Sequence, residues 1–200
     1  PQNVLMNIKG YESLDQVMRK AQTALSPKAF EAAANETEAI VLDVRHQSQF
    51  VVGHIPRSIF IGIDGAFAPW VGALIVDVNQ PILLVAPEGR VEEVVTRLSR
   101  VGFDNVIGYL EGGFDAWKSA GMEIDSLKSI SADEFAKIYT TNKEYVFDVR
   151  RAGEFTAEHV DGAKNTQLDY INSYLSEFPE NKTFYVHCAG GYRSVIAASI

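Results

Sequence analysis

Apolar positions fall into short runs separated by amphipathic stretches. Ile40-Val41-Leu42 leads into Asp43-Val44-Arg45, and Tyr145-Val146-Phe147 leads in the same way into Asp148-Val149-Arg150. Ile82 to Ala86 and Thr183 to His187 are further apolar runs. Such short runs, without polar alternation, predict strands buried on both faces. Val91 to Arg100 has a helical period, with Val91, Val94, Val95 and Leu98 on one face. Ser26-Pro27-Lys28-Ala29-Phe30 reads as a serine N-cap followed by proline in the first helical turn. Ser131 with Glu134 reads as a capping box. Strands alternating with helices predict an α/β fold, a mostly parallel sheet with helices on both faces.

The pattern occurs twice. Asp43 and Asp148 are 105 residues apart (148 − 43), and at that offset Phe50 matches Phe155 and His54 matches His159. Each copy continues into a small loop, Ile55-Pro56-Arg57-Ser58 or Val160-Asp161-Gly162-Ala163. The repeat predicts two domains, residues 26–125 and 126–200. The first ends in Asn105 to Trp117, a strand, a glycine turn and a short helix. The second has no counterpart of that tail and is expected to be short of its last strand and helix in this sequence. Residues 1–25 read as linker and helix, with Glu12 to Leu25 helical and Leu14, Val17, Met18, Ala21 and Leu25 apolar. Because the chain begins at proline, its start is expected further upstream.

Composition narrows the function. The 200 residues carry a net charge of −8 with no Lys/Arg cluster, which argues against nucleic-acid and anionic-membrane partners. No apolar run has a membrane-spanning length, and no secretory leader is evident. The single cysteine, Cys188, can form no internal disulfide and no multi-cysteine metal site. The cysteine count predicts a reducing, cytoplasmic setting, and neither a metal nor an organic cofactor is expected.

Cys188 stands where an apolar strand meets a helix. The stretch runs His187-Cys188-Ala189-Gly190-Gly191-Tyr192-Arg193-Ser194, with the helix expected to start near Arg193 or Ser194. A thiol at a helix N-terminus faces unpaired backbone N–H groups, which favour thiolate over thiol. The backbone N–H groups of Ala189, Gly190, Gly191 and Tyr192 are the candidate anion cradle, and the two glycines let that backbone curl. Arg193 is the candidate side-chain donor to a bound anion, and Tyr192 a candidate for the pocket mouth. Asp148 and Arg150 are expected to support the loop as a strand-end pair. His187 should point to the opposite face of its strand. His54 and His159 recur in both copies, which suits a structural role.

The cysteine loop resembles that of the rhodanese family, in which Cys, four residues and Arg form one turn. Asp148-Val149-Arg150, Glu154-Phe155 and His159-Val160-Asp161-Gly162-Ala163 are similar to the family's other signatures in order and spacing, and Leu110 to Trp117 to its C-terminal signature. The resemblance covers residues 26–200. It implies a sulfurtransferase in which Cys188 takes a sulfane sulfur as a persulfide and passes it to a nucleophile. The donor would be thiosulfate or a low-molecular-weight persulfide, and the acceptor a thiol, sulfite or cyanide. The first copy departs from the pattern in Ala86-Pro87-Glu88-Gly89-Arg90-Val91. Ala86 replaces the cysteine, Pro87 removes a donor, and Glu88 brings negative charge, so this copy is expected to be inactive.

Two other readings compete. Cysteine-dependent phosphatases and arsenate reductases use five residues between Cys and Arg, a wider loop than the four here. Alternatively the chain is a docking module of a larger sulfur-metabolism protein. Asn3 to Tyr11 resembles the linker after the metallo-β-lactamase-type domain of persulfide dioxygenase–rhodanese fusions. That resemblance implies an upstream metallo-hydrolase domain binding iron, for which these 200 residues supply no ligands.

Overall fold

The computed structural model describes residues 14–139 and 145–200. The segment Asn3 to Tyr11 and the start of the first expected helix lie outside them. In chain order the elements are α1 (Leu14–Ala21), β1 (Ala24–Leu25), α2 (Pro27–Thr37), β2 (Ile40–Asp43), α3 (Gln47–Val52), β3 (Ile59–Phe60), α4 (Phe67–Leu74), β4 (Ile82–Val85) and α5 (Val91–Ser99). They continue with β5 (Val106–Leu110), α6 (Gly113–Ser119), α7 (Ala132–Ile138), β6 (Val146–Asp148), α8 (Ala152–Ala157), β7 (Lys164–Asn165), α9 (Ile171–Tyr174), β8 (Tyr185–His187) and α10 (Tyr192–Ser199). The described residues form two compact units, 14–42 with 77–122, and 43–76 with 123–139 and 145–200. The units do not follow the repeat, because residues 43–76 of the first copy cluster with the second.

In the first unit, neighbouring strands run in the order β1-β5-β4-β2, and the β1–β5 and β5–β4 pairs are parallel. All four residues of β4 are buried, as expected of a strand covered on both faces. Ser26 caps α2, its hydroxyl accepting from the Ala29 N–H, with Pro27 in the first turn. Helix α5 buries Val94, Val95 and Leu98, the face expected from its period. Helix α1 buries Val17 and Ala21. The expected helix over 12–25 stops at Ala21, and Ala24–Leu25 instead pairs with β5. After β5 the chain turns at Gly112 and Gly113, whose φ angles of 70° and 61° are accessible to glycine at little cost. The turn delivers Trp117 edge-on to Phe30, ring centroids 6.1 Å apart.

In the second unit, the parallel sheet has the order β7-β6-β8. Its core gathers Phe147, Phe178 and Phe184, with centroids 4.4–5.8 Å apart. The capping box of α7 forms as expected, Ser131 Oγ accepting from Glu134 N–H while Glu134 accepts from Ser131 N–H. The segment after β3 runs alongside the end of β2: Ile61 and Ile63 N–H donate to the carbonyls of Asp43 and Val44, each at 3.0 Å. Helix α10 reaches β3, where Ser199 Oγ accepts from Phe60 N–H at 2.9 Å. No helix among the described residues is long and apolar enough to cross a membrane.

Candidate active site

Each apolar strand ends in the same staple. Arg150 donates from Nε and Nη2 to the Asp148 carboxylate at 2.6–3.0 Å, and its backbone N–H donates to Asp148 Oδ1 at 2.9 Å. A further bond runs from Arg150 Nη2 to the Glu158 carbonyl at 2.7 Å. Arg45 repeats this on Asp43 and on the Gly53 carbonyl. The histidines repeat too. His54 stacks on Phe50 and His159 on Phe155, both at 3.9 Å, and each Nδ1 lies 2.8 Å from the carbonyl of that phenylalanine. The arrangement thus recurs in the copy without a cysteine, and in the second copy it ties the end of β6 to the Glu158 carbonyl.

Cys188 follows β8 directly. Gly191, at φ 84°, starts α10, so the helix begins at Tyr192, one or two residues earlier than expected. The curl brings the Gly191 N–H to 3.2 Å from Cys188 Sγ. Ser194 Oγ lies 3.5 Å from the same sulfur and donates to the Gly191 carbonyl at 3.0 Å. Burial pushes the thiol's pKa up, but the Ser194 hydroxyl and the N–H groups of Ser194, Gly190 and Gly191 outweigh it, and the net position is below that of an ordinary thiol. The backbone N–H groups aimed at the sulfur thus include Gly190 and Gly191 of the expected set, with that of Ser194 added. Ser194 closes the motif, and it reaches the sulfur because the helix starts at Tyr192.

This geometry makes the cysteine a thiolate at lower pH than usual. Its alkylation rate against pH should have a midpoint below the about 8.5 of an unperturbed cysteine, and Ser194→Ala should move that midpoint upward. A wild-type midpoint at or above the unperturbed value would contradict the hydrogen-bonding argument. The same linkage acts on folding. With its folded value depressed, the thiolate contributes stability fully above the unfolded pKa, and that contribution is lost as pH falls through the folded one.

A cleft of about 290 Å³ opens beside the sulfur, lined by Ala66, Trp70, Arg151, Glu154, Cys188, Gly190, Tyr192 and Arg193. Tyr192 stands at this cleft as expected, and its hydroxyl donates to the Gly62 carbonyl at 2.7 Å. Its ring meets Phe60 edge-on, and a Cβ on Gly65 would come within 2.3 Å of it. Gly65 must therefore stay without a side chain for the tyrosine to seat. Ala66 and Trp70 come from sequence more than a hundred residues before the cysteine. Nothing in their local pattern marks them out, and only the folding of residues 43–76 into this unit brings them to it.

Arg193 lines the cleft, and its guanidinium is paired with Glu154, with Nη1 to Oε2 at 2.7 Å and Nη2 to Oε1 at 2.8 Å. The hydrogen bond from Arg193, working against a smaller effect of burial, holds the Glu154 carboxyl down at about 2. The expected anion donor is thus half of an ion pair, because the helix start that points Arg193 at the cleft also faces it toward α8. Glu154 was visible in a signature, without a role. His187 is absent from the cleft. Its Nε2 sits 3.7 Å from Asp148 Oδ2, and burial lowers its pKa more than Asp148 raises it.

In the first copy, Gly89 keeps a left-handed φ of 74°, matching Gly191. Ala86 is buried where the thiol would be, Glu88 is exposed, and Arg90 pairs with Glu93 on its own helix. The loop keeps this left-handed glycine and has Ala86 in place of a thiol. Among the described residues, no group of three or more His, Cys, Asp or Glu could hold a metal ion.

The family model for the rhodanese-like domain matches residues 26–120 and again 131–200. The chain therefore belongs to the rhodanese-like family, as a tandem of two such regions. Solved structures similar to it include a thiosulfate sulfurtransferase from Pseudomonas aeruginosa, 19% identical with a TM-score of 0.43, covering 92% of this chain and 41% of that one. A 3-mercaptopyruvate sulfurtransferase from Escherichia coli is 15% identical with a TM-score of 0.44, covering 90% of this chain and 93% of that one. A rhodanese-related protein from Thermoplasma volcanium is 23% identical with a TM-score of 0.42, covering 52% of this chain and 97% of that one. The chain spans less than half the length of the Pseudomonas protein. No curated protein matches it significantly.

Proposed function

We propose that this chain is a sulfurtransferase that carries a sulfane sulfur on Cys188. The observation that carries the reading is a thiol at the side of an open cleft, with the Gly191 N–H donating to its sulfur at 3.2 Å and Ser194 Oγ 3.5 Å from it. The thiolate attacks the outer sulfur of a donor R–S–SH. A bond forms between Sγ and that sulfur, the S–S bond of the donor breaks, and RS⁻ departs with the electron pair. An acceptor thiolate, sulfite or cyanide then attacks the outer sulfur of the Cys188 persulfide and regenerates the thiolate, a two-step exchange. The backbone donors hold the negative sulfur at each stage. Hydrogen bonds to a charged group contribute about 1.5–3 kcal/mol, against about 0.3–1 kcal/mol for a helix end, so the loop donors matter more than the helix dipole.

The phosphatase reading fits less well. Four residues separate Cys188 from Arg193, and Arg193 is already bound by a carboxylate, which leaves a tetrahedral dianion poorly matched. The first copy, with Ala86 at the cysteine position, is proposed to be non-catalytic. We expect incubation with thiosulfate or an organic hydropersulfide to add one sulfur atom to the intact protein, located on Cys188 and removed by cyanide. A mass unchanged by every donor tried would sink the assignment.

A further inference from the structure

The apex of the cysteine loop has little packing of its own. A Cβ on Gly190 or Gly191 would meet nothing within 4 Å, and Gly191 sits at φ 84°. Glycine backbone is the least restrained of any residue, so the hold on the Gly191 N–H comes from the residues that follow. The first of these, Tyr192, is anchored outside the loop. Its hydroxyl donates to the Gly62 carbonyl at 2.7 Å, and its ring lies edge-on to Phe60, centroids 5.8 Å apart. Phe60 N–H also donates to Ser199 Oγ at the far end of α10. Residues 60–65 of the cysteine-less copy thus hold both ends of the helix that follows Cys188.

The glycines of that segment serve the tyrosine and not the turn. Gly65 N–H donates to the Gly62 carbonyl at 3.2 Å, and at the repeat's offset of 105 residues Tyr170 N–H donates to the Gln167 carbonyl at 3.0 Å. The same turn therefore forms with side chains at both positions, and neither glycine has a positive φ. What a side chain would meet in the first copy is Tyr192. A Cβ on Gly65 would lie 2.3 Å from its ring, and one on Gly62 3.2 Å from it. We infer that Tyr192 is a positioning residue, seated by Gly62 and Gly65 of the cysteine-less copy, and that this seat holds the Gly191 N–H on Cys188 Sγ. The first copy then contributes to the working site through residues 60–65. The inference rests on the sulfurtransferase reading for its effect on turnover, but not for its effect on the thiol. When the tyrosine leaves its slot, Gly191 is free to rotate, the 3.2 Å bond to the sulfur is lost, and the thiolate loses a donor that favours it.

The test compares wild type with Tyr192→Phe, Gly65→Ala, Tyr192→Ala and the double variant Gly65→Ala with Tyr192→Ala. Two quantities are read: the pH midpoint of Cys188 alkylation by iodoacetamide, and kcat/KM for persulfidation by cysteine hydropersulfide. Gly65→Ala, although it stands in the other copy, should raise the midpoint by about half a pH unit or more and lower kcat/KM about ten- to a hundredfold. Tyr192→Phe keeps the ring and loses one hydrogen bond, so the midpoint should rise and kcat/KM should fall about three- to tenfold. In the Tyr192→Ala background the clash has no partner, and adding Gly65→Ala should change kcat/KM by less than about twofold. A folded Gly65→Ala whose midpoint and kcat/KM match wild type would overturn the inference. So would an equal loss from that substitution in both backgrounds. If circular dichroism shows that Gly65→Ala does not fold, Tyr192→Phe decides, and wild-type values for both quantities in that variant would overturn the inference. If wild-type Cys188 gains no sulfur, the sulfurtransferase reading fails, while the alkylation midpoints still decide this inference.

Discussion

Cys188→Ser should abolish sulfur transfer, lowering turnover by roughly a thousandfold while the fold stays intact. The magnitude follows from the site. The chain has one cysteine, so no neighbouring thiol can take over. The substitution keeps side-chain size and the capacity to accept from the Gly191 N–H, so packing around β8 and α10 should survive. A serine hydroxyl, however, neither ionises near neutral pH nor forms a persulfide. The check is a cyanide or thiol acceptor assay beside a circular dichroism spectrum. A folded variant with more than about 1% of wild-type turnover would place the nucleophile elsewhere.

Asp43→Ala should be the most destabilising change among the staple residues, at about 3–5 kcal/mol. Asp43 is fully buried, and its carboxylate accepts from the backbone N–H and two side-chain nitrogens of Arg45, which is itself only 8% exposed. Truncation removes the carboxylate that neutralises a guanidinium held in the interior, where its Nη2 also donates to the Gly53 carbonyl. Against a typical stability of about 5–15 kcal/mol, that is a large share. Asp148→Ala should cost less, because Arg150 is 18% exposed and can turn toward water. Removing both members of the first pair, as in Asp43→Ala with Arg45→Met, should cost less than Asp43→Ala alone, since no charge is then stranded. Urea denaturation measures all three. A loss under about 1 kcal/mol for Asp43→Ala would mean the pair behaves as a surface ion pair.

Much of this protein was legible in its sequence because the signals are local. Unbroken apolar runs such as Ile82 to Val85 mark strands covered on both faces, and Ser26-Pro27 and Ser131 with Glu134 mark helix starts whose hydrogen bonds span three residues. The repeat was legible because the staple and the stacked histidine depend on fixed short separations, Asp43 to Arg45 and Phe50 to His54, that recur with the same spacing in the second copy. The cysteine loop was legible for the same reason: a strand, two glycines and a helix start are all within ten residues of Cys188.

The remainder needed the tertiary structure. The sequence by itself determined the α/β repeat, the cysteine and the loop that carries it, because each depends on backbone geometry between near neighbours. Only the fold decided that Arg193 is bound by Glu154, a partner 39 residues away. Only the fold seated the Tyr192 hydroxyl on the Gly62 carbonyl, 130 residues away, and placed Trp70 and Ala66 beside the thiol. Side-chain charge and size say what a residue can pair with, and chain closure over long separations says which candidate it meets. The charge pairing in this cleft belongs to that second kind of information.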